Sequence, residues 1–201
     1  MFYINQQPFT NVEYRTNIED PESETARKGT FADSGCGLCS AMMVVDRLTL
    51  DRLSMDDAIR LSYDTEANHK VGTDMKLFGP ALAEKYDLEM ETTDSLEVLE
   101  EWLSKGGCAI INVGGNHDDY VGVLSDIGHY VFAFAWTGEE FMILDPAYRP
   151  GKYDVEVPAR KGKVYDDRKI LYVRPNVIAE DTSVKSPAYY MFRRRRPAAR
   201  K

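Results

Sequence analysis

The chain has 201 residues, enough for one domain with a sizeable core, and its 43% hydrophobic and 29% charged residues are ordinary for a globular protein. No apolar run approaches the roughly 20 residues of a membrane span, and the start, MFYINQQPFTNVEY, lacks the basic and apolar regions of a signal peptide. The net charge of −8 is unevenly held: taking the six basic residues of RRRRPAARK, 193–201, from 25 leaves 19 against 33 acidic, about −14 for residues 1–192.

A body of that charge repels nucleic acid, so only the basic tail offers an anion contact. The expectation is a single domain over 1–192, a disordered tail over 193–201, cytoplasmic placement and no membrane partner. Nothing in the sequence specifies an oligomeric state.

Along the chain, residues 15–30, RTNIEDPESETARKGT, are polar and aperiodic and read as an exposed loop. From Gly37 to about Leu53, Leu38, Ala41, Met42, Val45 and Leu48 recur at three- and four-residue spacing, the buried face of a helix. Ser54 with Asp57 is a capping pair for a second helix through about Tyr63. A third is predicted over Asp74 to Tyr86 with Thr73 as cap, kinked or restarted at Gly79-Pro80. A fourth starts at Ser95 and stops at Gly106 and Gly107.

The period then changes. CAIINVGG (108–115) reads as a buried strand. GHYVFAFAW (128–136) and EFMILDPA (140–147) are two strands joined by TGEE, hence an antiparallel hairpin, and KILYVRP (169–175) supplies another. Helices first and an antiparallel sheet afterwards define an α+β fold. The glycine-rich INVGGNHDDYVG ahead of the histidine strand is expected to act as a mobile flap.

Three cysteines are an odd count and too few for a disulfide framework, so free thiols are expected in a reducing compartment. Cys36, Cys39, Cys108, His69, His117 and His129 offer no second closely spaced ligand pair, and no metal or cofactor is expected. A Cys-x-x-Cys redox reading of FADSGCGLCSAMMVV needs a buried strand directly before it, which ETARKGTFADSG does not supply.

The nucleophile reading fares better. Cys36 falls at or near the first helical position, where free N–H groups and the helix dipole favour a thiolate. The flanking glycines leave the sulfur accessible and let a substrate backbone approach Gly37. Cys39, one turn on beside Leu38 and Met42, is expected to be core packing. The base comes from the hairpin: with its turn near Gly138, His129 lies across from roughly Asp145 to Tyr148, and Asp145 can then orient the imidazole. His69, in the polar connection TEANHKVG, and His117, in the exposed loop GGNHDDYVG, are read as ordinary polar residues.

SGCGLCSAMMVV, then GHYVFAFAW, then FMILDPA together resemble the C39-like cysteine peptidases of the papain-like superfamily, whose members include the bacterial bacteriocin-processing peptidase domains. The resemblance spans about residues 4–150. It implies a papain-like fold with N-terminal helices packed on an antiparallel sheet, Cys36 as nucleophile, His129 as base and Asp145 as orienter. A glutamine supplying the oxyanion hole is implied at Gln6, with Gln7 as second choice. It further implies a peptide or protein substrate and hydrolysis of a peptide or amide bond. A catalytically inactive binding domain on the same scaffold, or an acyltransferase or transglutaminase-like enzyme using the same triad, are the alternatives. The acidic loop between Gln6 and Cys36 is long for the transporter-fused members, and no transporter domain lies in these residues, so cleavage after a double-glycine leader is not implied.

Overall fold

A computed structural model describes residues 2–195. In chain order the elements are α1 (Glu24–Lys28), α2 (Phe31–Ser34), α3 (Cys36–Leu48), α4 (Met55–Asp64), α5 (Met75–Lys85), β1 (Leu88–Thr93), α6 (Leu96–Ser104) and β2 (Cys108–Val113). There follow β3 (His129–Trp136), β4 (Phe141–Leu144), β5 (Val164–Asp167), β6 (Ile170–Val173), α7 (Pro175–Thr182) and β7 (Tyr189–Arg194). The strands form one antiparallel sheet in the order β1-β7-β2-β3-β4-β6-β5.

Strand alternation divides the core in two. Cys108, Ile110, Phe132, Tyr190 and Phe192 face α3, α4 and α5 on one side. Ala109, Ile111, Val131, Ala133, Tyr189 and Met191 face α6 and the far side of the sheet. Because both faces are covered, β2 and β3 are apolar at nearly every position. The α+β arrangement matches the order of periodicities in the sequence.

Local signals place the helices well. Ser54 caps α4, accepting from the Asp57 N–H at 3.1 Å and donating its hydroxyl to the Asp57 carboxylate at 2.6 Å. Ser95 caps α6, and Gly106, at φ 83°, takes the left-handed conformation beyond its end. At α5 the cap is Asp74 and not Thr73: the Asp74 carboxylate accepts from the Lys76 N–H at 2.9 Å, while Thr73 is turned inward to the Tyr14 hydroxyl at 2.7 Å. The 15–30 stretch contains a short helix, α1, inside an otherwise irregular path.

The expected domain boundary at 192 falls inside β7. Arg193 pairs with Glu89 and Glu91 and stacks on Trp102 at 4.1 Å, and Arg194 donates to the Leu48 carbonyl. The rest of the basic run, 196–201, lies outside the described residues.

Candidate active site

The site is assembled where the N-terminus of α3 meets the start of β3. The short helix α2 leads into α3 through Gly35. A Cβ there would sit 2.4 Å from the Phe31 carbonyl and 2.7 Å from its ring, so only glycine allows the two helices to abut. Cys36 thereby takes the first position of α3, where backbone N–H groups have no intrahelical acceptor. The residue is 9% exposed. Gly37 does not face a substrate as the sequence suggested: a Cβ there would lie 3.0 Å from Thr73 and 3.2 Å from the Tyr130 ring. Its smallness seats α3 against β3.

A β-bulge delivers Asp145. Trp136 pairs with Phe141 and Ala135 with Met142, but Ala133 pairs with Ile143 and Phe132 with Leu144, a shift of one residue. Continuing the shifted register aligns His129 with Ala147, so Asp145, two residues away on the same strand path, shares the face of His129. Without the bulge its side chain would point to the opposite face. The His129 Nε2 lies 2.7 Å from the Asp145 Oδ1, leaving Nδ1 toward Cys36, with which the imidazole is hydrogen-bonded.

The electrostatics of the three groups are coupled. Burial acts to raise the Cys36 pKa, but the His129 charge, its hydrogen bond and the Tyr130 and Gly37 backbone N–H groups outweigh it, so the thiol is more acidic than usual. Burial acts to lower the His129 pKa, but the Cys36 charge and the hydrogen bonds to Asp145 and Cys36 lift it to about 9. Burial acts to raise the Asp145 pKa; the Lys152 charge and His129 hold it well below the usual carboxylate range. Cys39 is fully buried, and burial with the nearby Cys36 charge pushes its thiol well above the ordinary value. Cys108, at 0% exposure on β2, is likewise pushed up by burial. All three cysteines are free thiols.

Gln6 arrives on the N-terminal segment, which lies along residues 145–148. The Tyr3 hydroxyl donates to the Asp145 carbonyl at 2.9 Å, the Asn5 amide to the Tyr148 carbonyl at 2.7 Å, and the Gln6 N–H to the Pro146 carbonyl at 2.8 Å. Of the two glutamines Gln6 is buried, at 4% exposure, whereas Gln7 is exposed. Gln6 Nε2 donates to the Ala32 carbonyl at 2.7 Å, which fixes the amide orientation and uses one of its two N–H bonds; Oε1 is buried without a partner. Gln6, Gln7, Cys36 and His129 line a common cleft of about 320 Å³. A larger depression of about 430 Å³ at the β1 edge, between Pro80 and Arg195, holds no nucleophile.

The other histidines stand apart: His69 bonds the Glu66 carbonyl, and His117 bonds the Gly115 carbonyl and Ser183. Among the described residues no group of three or more His, Cys, Asp or Glu is placed to hold a metal ion. The stretch expected as a mobile flap is pinned. The buried Asp181 carboxylate accepts from the Tyr120 hydroxyl and the Val123 and Leu124 N–H groups at 2.7–2.8 Å. Arg160, wholly buried, donates to the Gly122 carbonyl at 2.8 Å and to Asp126 at 2.7 Å.

Sequence reasoning missed Lys152 and Tyr153, whose Nζ and hydroxyl reach the Asp145 Oδ2 at 2.5 and 2.6 Å. The signal lay in Arg149-Pro150-Gly151-Lys152. Proline followed by a glycine at φ 86°, with the Lys152 N–H on the Arg149 carbonyl, matches a type II turn that sends the chain back toward Asp145.

No protein-family profile and no curated protein matches this chain. Solved structures do. A candidate C39-like peptidase from Bacillus anthracis is matched over 97% of this chain and 94% of its own, with TM-score 0.54 and 15% identity. The peptidase domain of Streptococcus ComA, a bi-functional ABC transporter involved in a quorum-sensing pathway, is matched over 80% of this chain and 91% of its own, with TM-score 0.49 and 14% identity. UfSP from C. elegans is matched over 92% of this chain and 32% of its own, with TM-score 0.42 and 17% identity. The helices packed on an antiparallel sheet are thus the papain-like α+β fold of the Bacillus structure.

Proposed function

We propose that the protein is a papain-like, C39-like cysteine peptidase or amide hydrolase acting on a peptide or protein substrate. One observation carries the reading: an acidified thiol at a helix N-terminus is hydrogen-bonded to a histidine whose other ring nitrogen is held by a buried carboxylate. Those are the parts that nucleophilic acyl transfer requires.

In this reading the Cys36 thiolate attacks the scissile carbonyl carbon, and the oxyanion is met by the Cys36 N–H and the second N–H of the Gln6 amide. A donor of this kind is typically worth about 2.7–4 kcal/mol in the transition state. The His129 imidazolium passes its proton to the leaving amine as the carbon–nitrogen bond breaks, giving a thioester on Cys36. Neutral His129 then takes a proton from water, whose oxygen attacks the thioester, and the acid product leaves with the thiolate and imidazolium restored. Asp145 fixes which nitrogen faces the sulfur.

The test is cleavage of a proteome-derived peptide library, read by mass spectrometry, with wild type, Cys36→Ala and His129→Ala. Wild type should cut and both variants should lose at least about 10³-fold in rate. Equal cleavage by Cys36→Ala would remove the nucleophile assignment.

A further inference from the structure

Asp145 has more partners than an orienting residue needs. Its Oδ1 accepts from His129 at 2.7 Å and the Ala147 N–H at 2.8 Å. Its Oδ2 accepts from Lys152 at 2.5 Å and Tyr153 at 2.6 Å. The Asp145 carboxylate is fully buried and the Lys152 side chain is 4% exposed, so both charges have left water. Cys36, His129, Asp145 and Lys152 make a row of alternating charge that sums to zero.

The row bears on where the His129 proton can go. A carboxylate bonded only to the imidazole would become an uncompensated buried anion each time His129 gave up its proton, a costly state that favours keeping the proton on the ring. A second cation on the same carboxylate removes that penalty. We propose that Lys152 is a positioning residue of this site: by sharing Asp145 with His129 it keeps the carboxylate charged throughout and limits how tightly the imidazole holds its proton.

The neighbouring charges leave this role to Lys152. Arg149 is committed to Glu156, and Arg160 to Asp126 and the Gly122 carbonyl. Tyr3, from the N-terminal segment, and Tyr153 are held in the neutral phenol form by burial and by Asp145. Tyr130 on β3 and Cys39 on α3 are likewise kept neutral, chiefly by burial. Among the described residues, Lys152 is the single cation besides His129 in an ion pair with Asp145.

The inference rests on the cysteine-hydrolase reading, and the experiment separates the two. The rate of Cys36 alkylation by iodoacetamide, assigned by peptide mass, is measured against pH in wild type, Lys152→Met and Lys152→Arg. Two inflections are expected in wild type, one for the thiolate well below the free-thiol value of about 8.5 and one for loss of the imidazolium proton. Lys152→Met should move the second inflection alkaline by about 1 pH unit or more, and Lys152→Arg should restore it. A folded Lys152→Met protein with both inflections unmoved overturns the role of Lys152 while leaving the nucleophile in place. A single inflection near 8.5 in wild type overturns the hydrolase reading and this inference with it. Should Lys152→Met not fold, the unaltered protein still answers. With lysine labelled by 13C at Cε, the Lys152 signal should step at the pH where His129 titrates, and a flat signal overturns the coupling.

Discussion

At the scale of single residues, Asp145 ties stability to pH in a direction that can be worked out. Its folded pKa lies below the unfolded carboxylate value of about 3.9, after burial has been outweighed by Lys152 and His129. Its contribution is therefore fully present above about pH 4 and is lost as pH falls toward the folded value. Asp145→Asn leaves Lys152 buried without its anion and should cost about 3–5 kcal/mol at pH 7. Urea unfolding at several pH values checks this. The gap between wild type and variant should stay level down to about pH 4 and then narrow by about 1.4 kcal/mol per pH unit. A gap that stays constant to pH 2 would mean that the carboxylate is not held below its ordinary value.

At the scale of elements, the segment between β2 and β3 sets the wall of the cleft, because Ser125, Asp126, Ile127 and Gly128 line it and lead directly into His129. Two anchors from distant parts of the chain hold it, Arg160 before β5 and Asp181 on α7. Arg160→Met removes a charge-assisted bond to Asp126 and a second bond to Gly122, and should cost about 2–3 kcal/mol. Amide exchange should quicken at Asn116 and Gly122, whose N–H groups bond the Asp126 carbonyl and the Asn116 side chain, while Val123 and Leu124, bonded to Asp181, stay protected until Asp181→Ala is added. Fast exchange throughout the segment in wild type would restore the flap that its glycines suggested. Those glycines misled because the anchors are far away in sequence: Asp181 reaches Val123 across 58 positions. The Ser54–Asp57 cap and the Ser95 start were legible because their partners lie within three residues. The hairpin was legible to within one position, and the bulge that fixes the last step leaves no mark in an otherwise unbroken HYVFAFAW. The turn before Lys152 was legible in Pro150-Gly151, but its partner was not: a lysine there reads as solvated until Asp145 is seen beside it.

At the scale of the whole molecule, the C-terminal strand decides how the sheet is closed. β7 lies between β1 and β2, so it joins the β1 edge to the strand on which β3 and His129 are registered. Its sequence, Tyr189–Arg194, runs from aromatic core into the basic run, and the composition shift there looks like the end of a domain. The acidic residues of β1 explain why the strand continues: Arg193 meets Glu89 and Glu91 across the pair, and Arg195 lies 3.3 Å from Asp87. Part of the tail's charge is thus neutralised within the fold, by a body that is itself acidic. Two truncations separate a strand from a tail. A chain ending at Arg195 keeps every one of these pairs, whereas one ending at Phe192 loses the Arg193 stack on Trp102, its bonds to Glu89 and the Arg194 bond to Leu48. The shorter chain should be less stable by about 2–4 kcal/mol, summing one cation–π contact and a few charge-assisted bonds. The loss should appear in urea unfolding of both chains under one buffer. Equal stability would mean that β7 ends at Phe192 and that Arg193 and Arg194 belong to the tail after all.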